Sequence, residues 1–382
     1  MAPFIHPGLT CCGIALAAFA MSYGIIAWHA VRGRIRSPQL ILQDMPPVTM
    51  LKPLCGAEPE TYECLHSFCV QQYPEYQIVF GVADANDPAV AIVEKLQGEF
   101  PQLDLQIAID RRQHGSSRKV SNLVNMMSLA RHDLLVLSDS DVRVRPDYLN
   151  VVVAPLLDRG VGIVTCPYRG IPRRGLWALL GSLFVNEWFM PSVRVAAMGG
   201  SRSFAFGATI AIRRDVLSNI GGFVRIADQL ADDYRLGELT RRLGLRTVLS
   251  EAVVEIIVAE CSVAELVRHE LRWLRTIRAV RPLGYTFSFI TFGTPVAALG
   301  SLLAGGSPAA LSMLAITALT RVMLHVRTRM PGSAKSQLLL LPLRDTLSLG
   351  LWGWSFITRR VRWRDDHYRV ARDGTAWRVE AI

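Results

Sequence analysis

The residues best placed to do chemistry begin with Asp133-Leu-Leu-Val-Leu-Ser-Asp139-Ser-Asp141. Leu134 to Leu137 is a continuous apolar run bounded by polar residues, the pattern of a strand buried on both faces. It ends in two carboxylates separated by one small residue. An apolar strand delivering acids at its carboxyl end fits an open α/β sheet, in which ligands lie in the crevice beyond the strand ends. Two hard oxygen donors at that spacing suit Mg²⁺ or Mn²⁺, which take carboxylates together with substrate phosphates. Alone, the same pair describes solvated acids in a strand-to-loop turn.

Three further groups accompany it. Asp84 and Asp87 follow an apolar run ending at Val82. A carboxylate there accepts hydrogen bonds from a nucleobase imide or ribose hydroxyls, while Asp87, just before Pro88, is equally suited to capping a helix. Arg111 to Asn122 is a basic loop leading into a helix, where Lys119 and the free N–H groups of a helix start can meet a diphosphate. Ala231-Asp232-Asp233-Tyr234 opens another helix. A helix N-terminus lowers a carboxylate's pKa, so a general base at Asp233 must rely on geometry as much as basicity, and capping is the competing role. Finally, His269-Glu-Leu-Arg272-Trp273 lies on an amphipathic helix. Arg272 can clamp phosphate and Trp273 offers a stacking face. With Arg268, Arg275 and Arg278, the same helix also reads as an interfacial one with snorkelling arginines.

These groups need a scaffold. The chain has 382 residues, of which 51% are hydrophobic, and its formal charge is +10; its mean hydropathy is +0.27. Val48 to about Val258 has the composition of a globular α/β domain. Val48–Leu51, Ile78–Val82 and Leu105–Ile109 read as strands alternating with helices over Glu60–Gln72, Ala89–Glu99 and Val120–Ala130, which implies parallel βαβ units. Leu9 to Val31 is a bilayer's length of apolar residues followed by Arg32, Arg34 and Arg36, so we expect a retained anchor with that end in the cytoplasm. Ser37 to Pro47 reads as a proline-bearing linker. Three late segments, Gly284–Ala304, Ala309–Val326 and Leu338–Ile357, approach spanning length. Three full spans would place Arg359, Arg360, Arg362 and Arg364 outside, against the charge rule, so one segment is expected not to cross. Pro342, Arg344 and Asp345 mark the last as a broken, re-entrant or interfacial element. The seven cysteines show no C-x-x-C pair, arguing against a zinc site or a disulfide framework. The basic residues flank membrane segments, where anionic lipid rather than nucleic acid accounts for them.

The ordered set resembles the ceramide glucosyltransferase family, glycosyltransferase family 21. The likeness runs from Leu51-Lys-Pro-Leu through Val82-Ala-Asp84-Ala-Asn-Asp87-Pro, Lys119-Val-Ser-Asn122-Leu, Ser138-Asp139-Ser-Asp141-Val, Gly207-Ala-Thr-Ile-Ala-Ile-Arg213, Gly221-Gly222 and Ala231-Asp232-Asp233-Tyr234 to Arg272-Trp273. It implies a GT-A nucleotide-sugar domain, a Rossmann-like α/β fold with transmembrane helices at both ends, and inverting transfer of a sugar from a UDP-sugar to a lipid hydroxyl. Asp84 would contact uridine, with Asp87, Lys119, Asn122 and His269 also on the donor side. Asp139 and Asp141 would hold ribose and a divalent metal, Mg²⁺ or Mn²⁺. Asp233 would be the base, Arg272 would bind the departing diphosphate, and Trp273 would shape the acceptor site. The implied organisation is an anchor over 1–36, a linker over 37–47, the GT-A domain over 48–282, membrane segments over 283–358 and a basic tail over 359–382. His269 stands where the family has Gln or Arg, which makes the clamp weaker or pH-sensitive. Asp232 replaces a Glu, and Asp141 is not constant among the animal members.

Bacterial relatives of this family are associated with hopanoid biosynthesis, so a hopanoid acceptor in a bacterial cytoplasmic membrane is the leading expectation. Ceramide and diacylglycerol are its rivals. Trp177 to Met198, with Phe184, Trp188, Phe189 and Met190, reads either as an interfacial helix guiding lipid or as a buried amphipathic core helix. A polymer synthase would need more spans, and a catalytically dead nucleotide-sugar-binding scaffold would have lost an acid.

Overall fold

The computed structural model describes residues 7–33, 45–329, 335–357, 360–363, 366–370 and 375–379. Arg34, Arg36, most of the Ser37–Pro47 linker, Arg359 and Arg364 lie outside them.

In chain order the elements begin with α1 (Pro7–Arg32), β1 (Val48–Pro53), α2 (Thr61–Cys69), β2 (Tyr76–Val82), α3 (Ala89–Glu99), β3 (Asp104–Ile109), α4 (Arg118–Met126), β4 (Leu134–Leu137), β5 (Val142–Arg143) and α5 (Tyr148–Val153). Then come β6 (Val161–Thr165), β7 (Tyr168–Pro172), α6 (Leu176–Phe184), α7 (Met190–Met198), β8 (Ile210–Arg213), α8 (Arg214–Asn219), α9 (Asp232–Arg242), β9 (Arg246–Leu249) and β10 (Val254–Val258). The chain continues through α10 (Val263–Val280), α11 (Pro282–Phe287), α12 (Gly293–Leu303), α13 (Pro308–Thr328), α14 (Leu341–Trp354) and the short strands β11 (Arg360–Trp363), β12 (Asp366–Val370) and β13 (Ala376–Val379).

Two compact units interleave along the chain. A sheet unit comprises Ile35–Ile171, Ser201–Ile257 and Tyr368–Ile382; a helix unit comprises Met1–Arg34, Pro172–Gly200 and Val258–His367.

The sheet unit is built on a seven-stranded sheet of order β3-β2-β1-β4-β8-β6-β9. β3, β2, β1 and β4 run parallel, as the alternation of strands and helices implies. β8 then enters antiparallel to both β4 and β6, making the sheet mixed. Leu134 to Leu137 are all buried, as a strand covered on both faces requires. One core cluster joins Leu51, Val79 and Leu135 of the sheet to Leu123 of α4 and Leu236 of α9. That packing fixes the starts of both helices at the carboxyl edge of β1 and β4.

In the helix unit, α1 packs on α12 and α13. A Cβ added at Gly13 would lie 2.4 Å from the Gly300 carbonyl oxygen, and one at Gly300 would lie 2.6 Å from that of Gly13. The two backbones therefore meet through glycine, as small residues allow between membrane helices. α1 and α13 are each long and apolar enough to cross a bilayer. The Gly284–Ala304 run is not one straight helix: Pro282–Thr291 and Gly293–Leu303 meet at a 75° bend. α14 has 14 residues, about 21 Å of helix and short of the ~30 Å hydrocarbon core. Trp177–Met198 forms α6 and α7 joined by a π-helical segment, Val185–Phe189, with Glu187 buried at its centre.

Candidate active site

Beyond the ends of β1 and β4, Pro53, Ser138, Asp139, Gly207, Asp232, Asp233 and Lys119 line one pocket. Each is there for a local reason. β4 delivers Asp139 directly. Ser117 caps α4 by accepting the Val120 N–H at 3.3 Å, so Lys119 sits in the first turn. Asp232 and Asp233 open α9. Gly207 lies just before β8, where a Cβ would stand 3.2 Å from Lys119 Nζ, 3.3 Å from Asp139 Oδ2 and 3.6 Å from Asp233 Oδ2.

Lys119 Nζ is 2.6 Å from Asp139 Oδ1 and 3.5 Å from Asp232 Oδ2. Burial pulls the ammonium's pKa down, but Asp139, Asp232 and Asp233 outweigh it and hold the pKa above the usual lysine value. Asp233 behaves in the opposite sense. Its Oδ2 accepts the Gly207 N–H at 2.9 Å and its Oδ1 the Tyr234 N–H at 2.7 Å. Even so, burial, and then the charge of Asp232, push its pKa up to about 6. At this helix start, desolvation and a like charge defeat the lowering expected from the helix end. The carboxyl group is thus ready to exchange a proton near neutral pH.

A residue outside the candidate set supports the strand end. Lys52 is fully buried on β1. Its Nζ donates to the Asp139 carbonyl oxygen and lies 3.8 Å from the centroid of the Phe68 ring. Burial lowers its pKa to about 8. A lysine within Val48-Thr-Met-Leu-Lys52-Pro was the available signal, because an apolar strand admits a buried cation only where partners await it.

Other candidates take different places. Asp84 Oδ1 accepts the Asn86 N–H at 3.0 Å, and its Oδ2 accepts from Arg111 Nη2 at 2.8 Å. The backbone bond, then Arg111, hold its pKa low. Asp87 accepts the N–H groups of Ala89 and Gly56, both at 2.9 Å at their closest, so it ties α3 to the loop after β1. Asn122 donates to the carbonyls of Gly81 at 2.7 Å and Leu54 at 3.4 Å, joining the ends of β2 and β1. The Ala89 bond is the capping role that the sequence offered for Asp87, whereas the structural role of Asn122 was not revealed by spacing. Asp141 stands two residues beyond Asp139, just before β5, and is exposed; its carbonyl accepts the Ile257 N–H at 3.1 Å.

His269, Arg272 and Trp273 belong to the helix unit, on α10. Ser262 caps this helix, accepting the Glu265 N–H at 3.2 Å, while Glu265 accepts the Cys261 N–H at 2.8 Å. His269 Nδ1 bonds Glu260. Trp273 packs edge-on to His269 and Phe189, at centroid distances of 5.4 and 5.3 Å.

Asp139 and Asp141 are the acids that the sequence suggests for a divalent cation. Among the described residues no group of three or more His, Cys, Asp or Glu side chains forms a metal cage. Two carboxylates on one turn suit a cation that completes its shell with substrate phosphate oxygens and water.

The model of glycosyl transferase family 21 matches residues 12–376. The chain belongs to that family. Among curated relatives, ceramide glucosyltransferase 3 of Caenorhabditis elegans is 22% identical over 277 residues, 70% of this chain and 60% of its own. The ceramide glucosyltransferase of Candida albicans is 36% identical over 107 residues, 25% of this chain and 20% of its own. The chain thus spans about 60% or less of the length of these relatives. Among solved structures, a mannosyltransferase from Pyrobaculum calidifontis, in complex with GDP-Man and Mn²⁺, covers 91% of this chain and 95% of its own. It matches with a TM-score of 0.50 at 19% identity. The fold is GT-A.

Proposed function

We propose that this family 21 member is a membrane-bound inverting glycosyltransferase that moves a sugar from a UDP-sugar to a lipid hydroxyl. The observation that carries the reading is the pocket at the sheet's carboxyl edge, where one ammonium faces three carboxylates and Asp233 is tuned to about 6.

The chemistry follows. The donor's diphosphate lies at the α4 start, where Lys119 and free N–H groups favour an anion. Asp84 takes the uracil or ribose side, and Asp139 and Asp141 are the residues that would hold a divalent cation. When bound, that cation neutralises charge developing on UDP. Asp233 accepts the proton of the acceptor hydroxyl as its oxygen attacks the anomeric carbon. The sugar–phosphate C–O bond breaks on the opposite side, UDP leaves with the electron pair, and the configuration inverts in a single displacement. Arg272 adds positive charge to the leaving diphosphate and Trp273 shapes the acceptor side; their support is the Arg-Trp motif alone.

The relatives' names favour a glucosyl donor and a ceramide-type acceptor, with GlcNAc and a hopanoid or diacylglycerol as further pairs to be tested. α1 and α13 support a bilayer location. Arg32 at the end of α1 favours a cytoplasm-facing catalytic unit, and a bacterial cytoplasmic membrane is the proposed setting.

The test is UDP release from purified protein in lipid micelles, crossing UDP-glucose and UDP-GlcNAc with ceramide, diacylglycerol and hopanoid acceptors, with Mg²⁺ or Mn²⁺. Acceptor-dependent release that chelator abolishes supports the reading and names the lipid. UDP binding without turnover on any pair overturns it in favour of a nucleotide-sugar-binding scaffold.

A further inference from the structure

One buried cation of the sheet unit has no part in the transfer chemistry above. The β1–β4 pairing ends at Leu51 and Leu137, and the Ser138 N–H then donates to the Leu51 carbonyl oxygen at 3.2 Å. There β4 leaves the sheet, while β1 stays paired with β2 as far as Pro53 and Gly81. Lys52 carries the connection one peptide further. Its ammonium donates to the Asp139 carbonyl oxygen and lies 3.4 Å from Ser138 Oγ. The same carbonyl accepts the Val142 N–H at 3.4 Å, closing the turn that holds Asp139 and Asp141. Helix α2 supplies the fully buried Phe68 ring, 3.8 Å from the ammonium, and is tied to the same segment where Ser67 Oγ accepts the Val144 N–H at 3.1 Å.

Stability is a poor reason for this lysine. Its contacts are a carbonyl, a hydroxyl and a ring face, and taking an ammonium out of water is costly without a paired carboxylate. Methionine is as unbranched and would fill the same space without that cost. It would strand nothing, because the Asp139 carbonyl keeps the Val142 N–H. What methionine cannot do is direct the Asp139 peptide. Asp139 lines the pocket together with Pro53 and Ser138, and its Oδ1 meets Lys119 Nζ at 2.6 Å. A turn held only by an N–H bond of 3.4 Å, at the weak end of the range, lets that peptide rotate and both acids with it. The ammonium is also attracted by the Asp139 and Asp141 carboxylates, and so offsets their mutual repulsion.

We propose that Lys52 is a positioning residue for donor binding: by holding the Asp139 carbonyl it sets the direction in which the Asp139–Val142 turn presents its acids to the UDP-sugar. The inference rests on the UDP-sugar reading above. It adds a residue that acts through the main chain and itself touches no substrate.

The test compares full-length wild type, Lys52→Met and Lys52→Arg in lipid micelles. Three quantities are read: UDP affinity by calorimetry with Mg²⁺ present, the KM for UDP-sugar against that for the lipid acceptor, and the thermal unfolding temperature. Lys52→Met should unfold no lower than wild type, yet bind UDP about tenfold more weakly, the scale of one hydrogen bond from a charged donor. Its UDP-sugar KM should rise by about the same factor, and its acceptor KM by less than about twofold. Lys52→Arg keeps a charged donor but overfills the space, so it should regain most of the UDP affinity while unfolding at a lower temperature. A lysine that merely props the fold gives the opposite order, with affinity following stability. UDP affinity unchanged in Lys52→Met, or falling only together with its unfolding temperature, overturns the inference. Weakened UDP binding in a stable Lys52→Met, with no UDP release from wild type on any donor–acceptor pair, would sink the transferase reading and leave the role of Lys52 standing. Transfer by wild type with undiminished UDP binding in Lys52→Met would do the reverse.

Discussion

The protein holds two sets of buried charges, and they are balanced differently. In the sheet unit, Lys119 faces Asp139, Asp232 and Asp233. In the helix unit, Arg344 closes on Glu270, and Arg321 bridges Asp345 and Glu187, the latter also bonded to His325. The second set is largely paired, with fork-to-fork geometry at Arg344–Glu270 and Arg321–Asp345, while His325 Nε2 is buried with no hydrogen-bond partner among the described residues. The first carries excess negative charge at a pocket mouth. Such an excess is stable only if a proton, a cation or both are taken up, which is what a metal-dependent transferase with a general base requires. Charge balance therefore separates the set that works on a donor from the set that holds helices together.

Five variants would break or sharpen that contrast. Asp233→Asn should lower acceptor-dependent UDP release by about 10²- to 10⁴-fold while leaving UDP binding in place, measured by turnover and by equilibrium nucleotide binding. Arg344→Met should cost about 3–5 kcal/mol by stranding Glu270, read as a fall in thermal unfolding temperature. Arg344→Met with Glu270→Met should recover most of that loss, because the paired charges are replaced together. Lys119→Met removes about 2 kcal/mol of charge-assisted hydrogen bonding and weakens donor binding. It also removes a positive neighbour that lowers Asp233's pKa, so the acidic limb of the rate profile should move above pH 6. Gly207→Ala crowds the same groups by a few tenths of an ångström and should reduce turnover by less than about tenfold, seen in kcat more than in stability.

The sign of the pH effect on stability is equally definite. Burial and Asp232 raise the folded pKa of Asp233 above the ordinary aspartate value of 3.8 to about 6. The stabilisation linked to its proton is thus complete below about 4 and lost as pH rises through about 6.

Much of this was legible in the sequence. The apolar run Leu134–Leu137 read as a doubly covered strand, and that reading placed Asp139 at the sheet edge. Spacing could not distinguish carboxylates and amides that face a ligand from those that hold loops. Asp87 and Asn122 bond backbone groups brought close by the folding of β1, β2 and α3, contacts between residues far apart in the chain. Nor could spacing show that Asp233 would be desolvated, since burial depends on what packs over the α9 start. The bend between α11 and α12 was hidden because hydropathy is continuous through it. The charges of α14 read as a flaw in a span, whereas Arg344 and Asp345 are paired in the folded helix unit.

The central claim is that Asp233, raised by burial beside surplus acids, is the base of a metal-dependent transfer. Its most direct test is the pH profile of acceptor-dependent UDP release at saturating donor and Mg²⁺ or Mn²⁺, wild type against Asp233→Asn. The account predicts a wild-type rate that climbs as pH rises through about 6, and a variant with little rate at any pH. A variant that keeps the wild-type rate and profile would contradict it.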